Sequence, residues 1–211
     1  MSMPKYDPIY TVDEYLAIDR ASDERYVYLD GVIFMMAGES PAHADISMNL
    51  SGVLYNQLLD SPCRARAKDT KVRSGPTPMP GNSVKGLFSY PDIVLICGEP
   101  EYHDSYRDVV INPTAVFEVL SPGTADFDRG EKFDRLRRWN PTLTDFVLVS
   151  QTKPKVEHYT RAADGTWSSR VYEGLAAQFT VASIRCTIKL ADVYRRISFP
   201  DEPPCGEPGR P

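Results

Sequence analysis

The chain has 211 residues, 42% of them hydrophobic, and a formal net charge of −5. That length sets one domain, or one domain with appendages, and that apolar share supports a real core and excludes global disorder. No apolar run approaches the roughly 20 residues of a membrane helix, and the acidic balance excludes a surface coated for non-specific nucleic-acid binding, though not a local basic groove.

The opening stretch MSMPKYDPIYTVDEY lacks the apolar core of a signal peptide, so the expectation is a cytoplasmic chain without membrane association. TVDEYLAI predicts a helix, because Thr11 and Glu14 stand at capping-box spacing and Tyr15, Leu16 and Ile18 give it an apolar side. RYVYLDGVIFMM predicts a β-hairpin turning at Asp30-Gly31. GESPAHADISMNLSGVLYNQLLD predicts a helix capped by Ser40, with Pro41 in its first turn and Ile46, Leu50, Val53, Leu54 and Leu58 at helical spacing.

CRARAKDTKVRSG reads as an extended strand interrupted near Asp69-Thr70. Arg64, Arg66 and Lys68 alternate along one face of it; a groove for phosphates and a solvated edge blunted by charge are both open readings. PTPMPGNSVKG is a loop. YPDIVLICG and NPTAVFEVLSP are buried strands. TADFDRGEKFDRLRRW is a helix that ends by Asn140-Pro141. DFVLVSQ is a further buried strand, KVEHYTR and WSSRVYEG form an antiparallel pair, and IKLADVYRRI closes the domain as a short helix. The Pro/Gly-rich tail, 200–211, is expected to be disordered. Cys63, Cys97, Cys186 and Cys205 are far apart with no CxxC pair and read as free thiols. His103 and His158 read as surface residues. The order of elements gives an α/β class with a mixed central sheet flanked by helices.

Two of the buried strands carry acids. Asp92 opens one and Glu118 sits in the middle of the next, although burying an unpaired carboxylate costs several kcal/mol, roughly. If the strands are neighbours, both acids project to one side of the sheet, where a divalent cation relieves their repulsion. Oxygen-only ligation suits Mg²⁺ or Mn²⁺, completed by water and phosphate oxygens, which points to phosphodiester chemistry. Plainer structural alternatives stand beside this reading. They are a loop cap for Asp92, an ion pair with Lys132 or an arginine for Glu118, a solvated helix position for Lys132, and a helix-start hydrogen bond for His43.

RYVYLDGVIFMMAG, PAHADI, YPDIVLICG, FEVLSP, FDRGEKF and FVLVSQ occur in the order seen in a bacterial family of restriction-endonuclease-like proteins within the PD-(D/E)XK nuclease superfamily. The chain resembles that family from about Tyr10 to Tyr194. The resemblance implies a restriction-endonuclease-like core in a single nuclease-like domain over 1–199, and metal-dependent hydrolysis of DNA. It implies Asp92 and Glu118 as metal ligands for Mg²⁺ or Mn²⁺, with the Val119 carbonyl as a third, and Lys132 as the catalytic lysine, because the superfamily's usual lysine position is Leu120. It also matches His43 as an accessory residue, gives DNA as partner and is compatible with a homodimer. One departure is clear: the family usually has Glu where this chain has Val27. That loss implies weak metal affinity, and it keeps open a second reading, a nuclease-fold protein that binds nucleic acid or a protein partner without cleavage.

Overall fold

The computed structural model describes residues 9–36 and 38–199. Helix α1 (Val12–Ala21) is opened by the Thr11–Glu14 capping box and is followed by the hairpin β1 (Tyr26–Leu29) and β2 (Val32–Met35). Asp30 and Gly31 both adopt positive φ, 45° and 96°, the geometry of a tight two-residue hairpin turn. Helix α2 (Pro41–Leu58) starts at Ser40, whose hydroxyl accepts the His43 N–H. Strands β3 (Cys63–Ala67), β4 (Lys71–Ser74), β5 (Leu87–Ser89), β6 (Ile93–Cys97), β7 (Val109–Val110) and β8 (Ala115–Leu120) follow. Next comes one continuous helical segment: α3 (Ala125–Phe127), a π-helical turn (Asp128–Lys132) and α4 (Phe133–Trp139). The chain then forms β9 (Asp145–Ser150), the hairpin β10 (Lys155–Arg161) and β11 (Trp167–Glu173), the pair β12 (Gln178–Val181) and β13 (Cys186–Lys189), and α5 (Leu190–Val193).

The central sheet has six strands in the order β11-β10-β9-β8-β6-β3. It is mixed: β8 and β9 run parallel and the other neighbours antiparallel. On one face, Ile93, Leu95, Phe117, Val119, Val147 and Val149 pack against Ile46, Leu50 and Leu54 of α2 and against the β12–β13–α5 unit. On the other, Val94, Val116, Leu120 and Phe146 pack against Phe133 and Leu136 of α4. β8 is therefore buried along its whole length, which explains its nearly unbroken apolar run.

A second, five-stranded sheet, β2-β1-β5-β4-β7, is built largely from the hairpin and the segments flanking the long loop. Tyr15 and Leu16 of α1 cover it through Tyr28, Phe88 and Val109. The interruption at Asp69-Thr70 is thus a change of sheet: β3 belongs to the central sheet and β4 to the second. The last expected helix is shorter than its pattern suggested, because Cys186–Lys189 pairs with β12 instead.

Two expectations from sequence are corrected. Cys63 and Cys97 are disulfide-bonded, not free, because β3 and β6 place them directly opposite each other across the sheet. Cys186 is a buried free thiol, while Cys205 and the 200–211 tail lie outside the described residues. His158 is buried, not on the surface, because it shares the inward register of β10 with Val156. Its Nε2 lies 2.7 Å from Asp145 Oδ1, and a carboxylate can only accept, so the ring donates. His103 is half-buried beside Arg73.

Burial pushes the Asp145 carboxyl up, but hydrogen bonds from His158, Ser183 and Thr144 outweigh it and hold it below its ordinary value of 3.8. A depressed folded pKa contributes stability above the unfolded pKa, lost as pH falls through the folded one. The melting temperature of the wild type should therefore fall as pH drops below about 4, and Asp145→Asn, followed by calorimetry from pH 7 to 3, should flatten part of that acid limb.

Candidate functional site

Asp92 stands one residue before β6 and Glu118 is the fourth residue of β8. The antiparallel pair Ile93–Phe117 fixes the register, so Asp92 and Glu118 face each other at the next position and on the same side of the sheet. They share that side with Val94 and Val116, the face that α4 covers.

Asp92 is held at both oxygens. Oδ2 accepts the Val119 N–H at 2.7 Å, and Oδ1 lies 2.8 Å from His43 Nε2. The loop-cap alternative for Asp92 does not match these contacts, because the backbone it ties is that of the neighbouring strand. His43 reaches it from the first turn of α2, where Ser40 fixes the helix start. Lys68 follows β3 in the register position opposite Asp92, one step beyond the Ala67–Ile93 pair. Its ammonium contacts Glu39 Oε2, which also lies 3.6 Å from His43 Nε2. Burial lowers the Lys68 pKa, with the charge of Asp92 opposing.

Glu118 is buried with 4% of its surface exposed, and Lys132 with 6%. Lys132 Nζ lies 2.6 Å from Glu118 Oε1 and 3.3 Å from Asp128 Oδ1. Lys132 is thus a buried ion-pair partner of Glu118 and not a solvated helix lysine. The π-helical turn places Asp128 and Lys132 together over the strand; such turns interrupt a helix at an energetic cost and are frequent at functional sites. The Lys132 ammonium is the contact of the buried Glu118 Oε1, which has no further hydrogen-bond donor.

Burial pushes the Glu118 carboxyl well above its ordinary value, with Lys132 opposing and Asp128 and Asp92 adding to the rise. Burial pulls Lys132 down, but the charges of Glu118 and Asp128 outweigh it and hold the ammonium above its ordinary value. The contacts at 2.6 Å and 3.3 Å gather the carboxyl groups of Glu118 and Asp128 around one buried ammonium.

Val27 lies in β1 of the second sheet, half-buried and opposite Phe34. Its hairpin is tied to the Lys132 helix, since Arg135 of α4 donates to Asp30 through Nη1 at 3.0 Å and Nη2 at 2.6 Å. Glu39, Lys68 and Asp128 are parts of the cluster that sequence reading left out as site residues. The four-residue spacings Glu39–His43 and Asp128–Lys132 were the available signal for two of them.

The Uma2 family, described as "Putative restriction endonuclease", matches residues 12–191. The chain belongs to that family. An uncharacterized Synechocystis protein, slr1290, is 32% identical over 196 residues, covering 93% of this chain and 95% of its own. A second, sll1609 from the same organism, is 30% identical over 159 residues, covering 75% and 85%. Among solved structures, a "putative nuclease belonging to DUF820" from Anabaena variabilis superposes with a TM-score of 0.69 at 16% identity, covering 88% of this chain and 97% of its own. The fold is therefore that of a nuclease-like α/β protein. No helix among the described residues is long and apolar enough to cross a membrane.

Breaking a buried ion pair from one side leaves an uncompensated charge, at a cost of about 3–5 kcal/mol. Lys132→Met should destabilise the fold by that amount in urea titrations. Glu118→Gln in the same chain should recover a substantial part of the loss, giving a double mutant less unstable than the sum of the singles.

Proposed function

We propose that this chain hydrolyses DNA phosphodiesters with Mg²⁺ or Mn²⁺ held by Asp92 and Glu118. The observation that carries the reading is the cross-strand placement of these acids on one face, beside the buried ammonium of Lys132. The donor set would suit a hard divalent cation: two carboxylates on neighbouring strands, with the remaining positions open to water and substrate phosphate. Such a cation polarises the phosphoryl group and lowers the pKa of a bound water.

The protein groups have distinguishable tasks. The Val119 N–H and the His43 ring fix the rotamer of Asp92, which makes His43 a positioning residue. Lys132 supplies a buried positive charge that orients an attacking water or steadies charge developing on the phosphate. Against its burial, Glu118 first and then Asp128 raise the pKa of that ammonium.

A second reading, a nuclease-fold protein that binds nucleic acid or a protein partner without cutting, has its own support. Among the described residues, no group of three or more His, Cys, Asp and Glu side chains is arranged to hold a metal ion. Val27 stands where the family pattern has an acid. With no acid at Val27, Asp92 and Glu118 would hold a divalent cation only weakly.

A nicking assay on supercoiled plasmid tests the first reading against the second. Cleavage should require added metal, be faster with Mn²⁺ than with Mg²⁺, and fall at least about 100-fold in Asp92→Asn, Glu118→Gln and Lys132→Met. Metal calorimetry on Val27→Glu should show tighter Mn²⁺ binding. Wild-type protein that neither cuts nor binds metal would favour the second reading.

A further inference from the structure

The basic stripe on β3 has no part in the chemistry just described. Arg64 and Arg66 oppose Ile96 and Val94 of β6, so they lie on the same face as Asp92 and Glu118. Lys68 continues the line and ends it opposite Asp92. Alternate residues of a strand are about 6.8 Å apart, a spacing of the same order as that of successive phosphates along an extended nucleic-acid strand. β3 is the edge of its sheet, so this line of cations is open on one side.

Of the stripe's cations, Arg64 lies 3.9 Å from Glu99 Oε1, Lys68 contacts Glu39, and Arg66 is held without a carboxylate. The Arg66 guanidinium donates to Tyr102 Oη at 2.8 Å and lies 5.6 Å from the ring centroid. Arg107 approaches the same ring, 5.0 Å from its centroid. Among the described residues neither arginine has a carboxylate within ion-pair distance, whereas Arg20, Arg129 and Arg135 each do. Arg107 reaches the ring from a left-handed backbone, φ 58°, which non-glycine residues rarely adopt. Blunting an edge strand against pairing asks only that it carry charge. Two like charges fixed on one tyrosine, on a strained loop and without counter-charge, fit an anion instead. The Tyr102 hydroxyl titrates below its ordinary value, mainly through the Arg66 hydrogen bond, which is a further sign of local positive potential.

We propose that Arg64, Arg66 and Arg107 form a track for the sugar–phosphate backbone of a DNA strand, leading past Lys68 to the Asp92–Glu118 pair. This deepens the nuclease reading and rests on it for direction along the track. The contacts are to phosphate, so the track confers affinity and register without base preference.

The test is fluorescence anisotropy of labelled single-stranded and duplex DNA on the full chain in EDTA, where no cleavage occurs, across a salt series. Arg66→Ala and Arg107→Ala should each weaken binding several-fold, equally for unrelated sequences. Each should lower the slope of log K against log salt by about 0.7–0.9. Arg66→Lys should retain most of the slope. Arg170→Ala, on the far edge strand β11, should change nothing. Unchanged affinity and slope in Arg66→Ala and Arg107→Ala would overturn the track, as would binding of single-stranded RNA alone or no binding by the wild type. Track variants that bind and cut like wild type would leave the nuclease reading standing without the track. Salt-dependent binding through these arginines in a protein that never cuts would keep the track and remove the nuclease.

Discussion

One strand pairing decides what this molecule can do. β6 and β8 meet antiparallel with Ile93 opposite Phe117, and a slip of a single residue would turn Asp92 and Glu118 to opposite faces. The core enforces the register from both sides. Ile93, Leu95, Phe117 and Val119 are committed to α2, and Val94, Val116 and Leu120 to α4. The acids have no freedom to separate, and the Val119 N–H, bonded to Asp92, stitches the two strands once more at the site itself.

The cost of that placement is concentrated at Glu118. A carboxylate in a fully buried strand needs a cation, and the Lys132 ammonium supplies it from a π-helical turn stabilised on the other side by Phe133, stacked 4.9 Å from Phe146. Arg135, one turn further along the helix, grips Asp30 and so couples the hairpin of the second sheet to the same helix. Hairpin, helix and central strands converge on one charged pocket.

Much of this was legible in the sequence because it rests on local patterns. The Thr11 box, the Asp30-Gly31 turn, the Ser40 cap and the two acidic apolar strands each carry their own signal, and their order carried the family resemblance. What was not legible depends on tertiary register. The bond between Cys63 and Cys97 spans 34 residues of sequence and exists because β3 lies along β6. His158 is buried because β10 has one face inward, which no single residue announces. The second sheet arises from short strands, two to four residues long, whose patterns are too brief to declare themselves. Lys132 was legible as a site residue through the family resemblance alone, since the π-helical turn that directs it inward has no distinct composition.

The claim on which the rest depends is that Asp92 and Glu118 share a divalent cation. Crystals soaked in Mn²⁺, with anomalous differences collected at the manganese edge, test it directly. The expected result is one peak between the two carboxylates, about 2.1 Å from an oxygen of each, and absent from Glu118→Gln. A clean map with no peak there, or manganese bound elsewhere while Lys132 remains on Glu118, would contradict it.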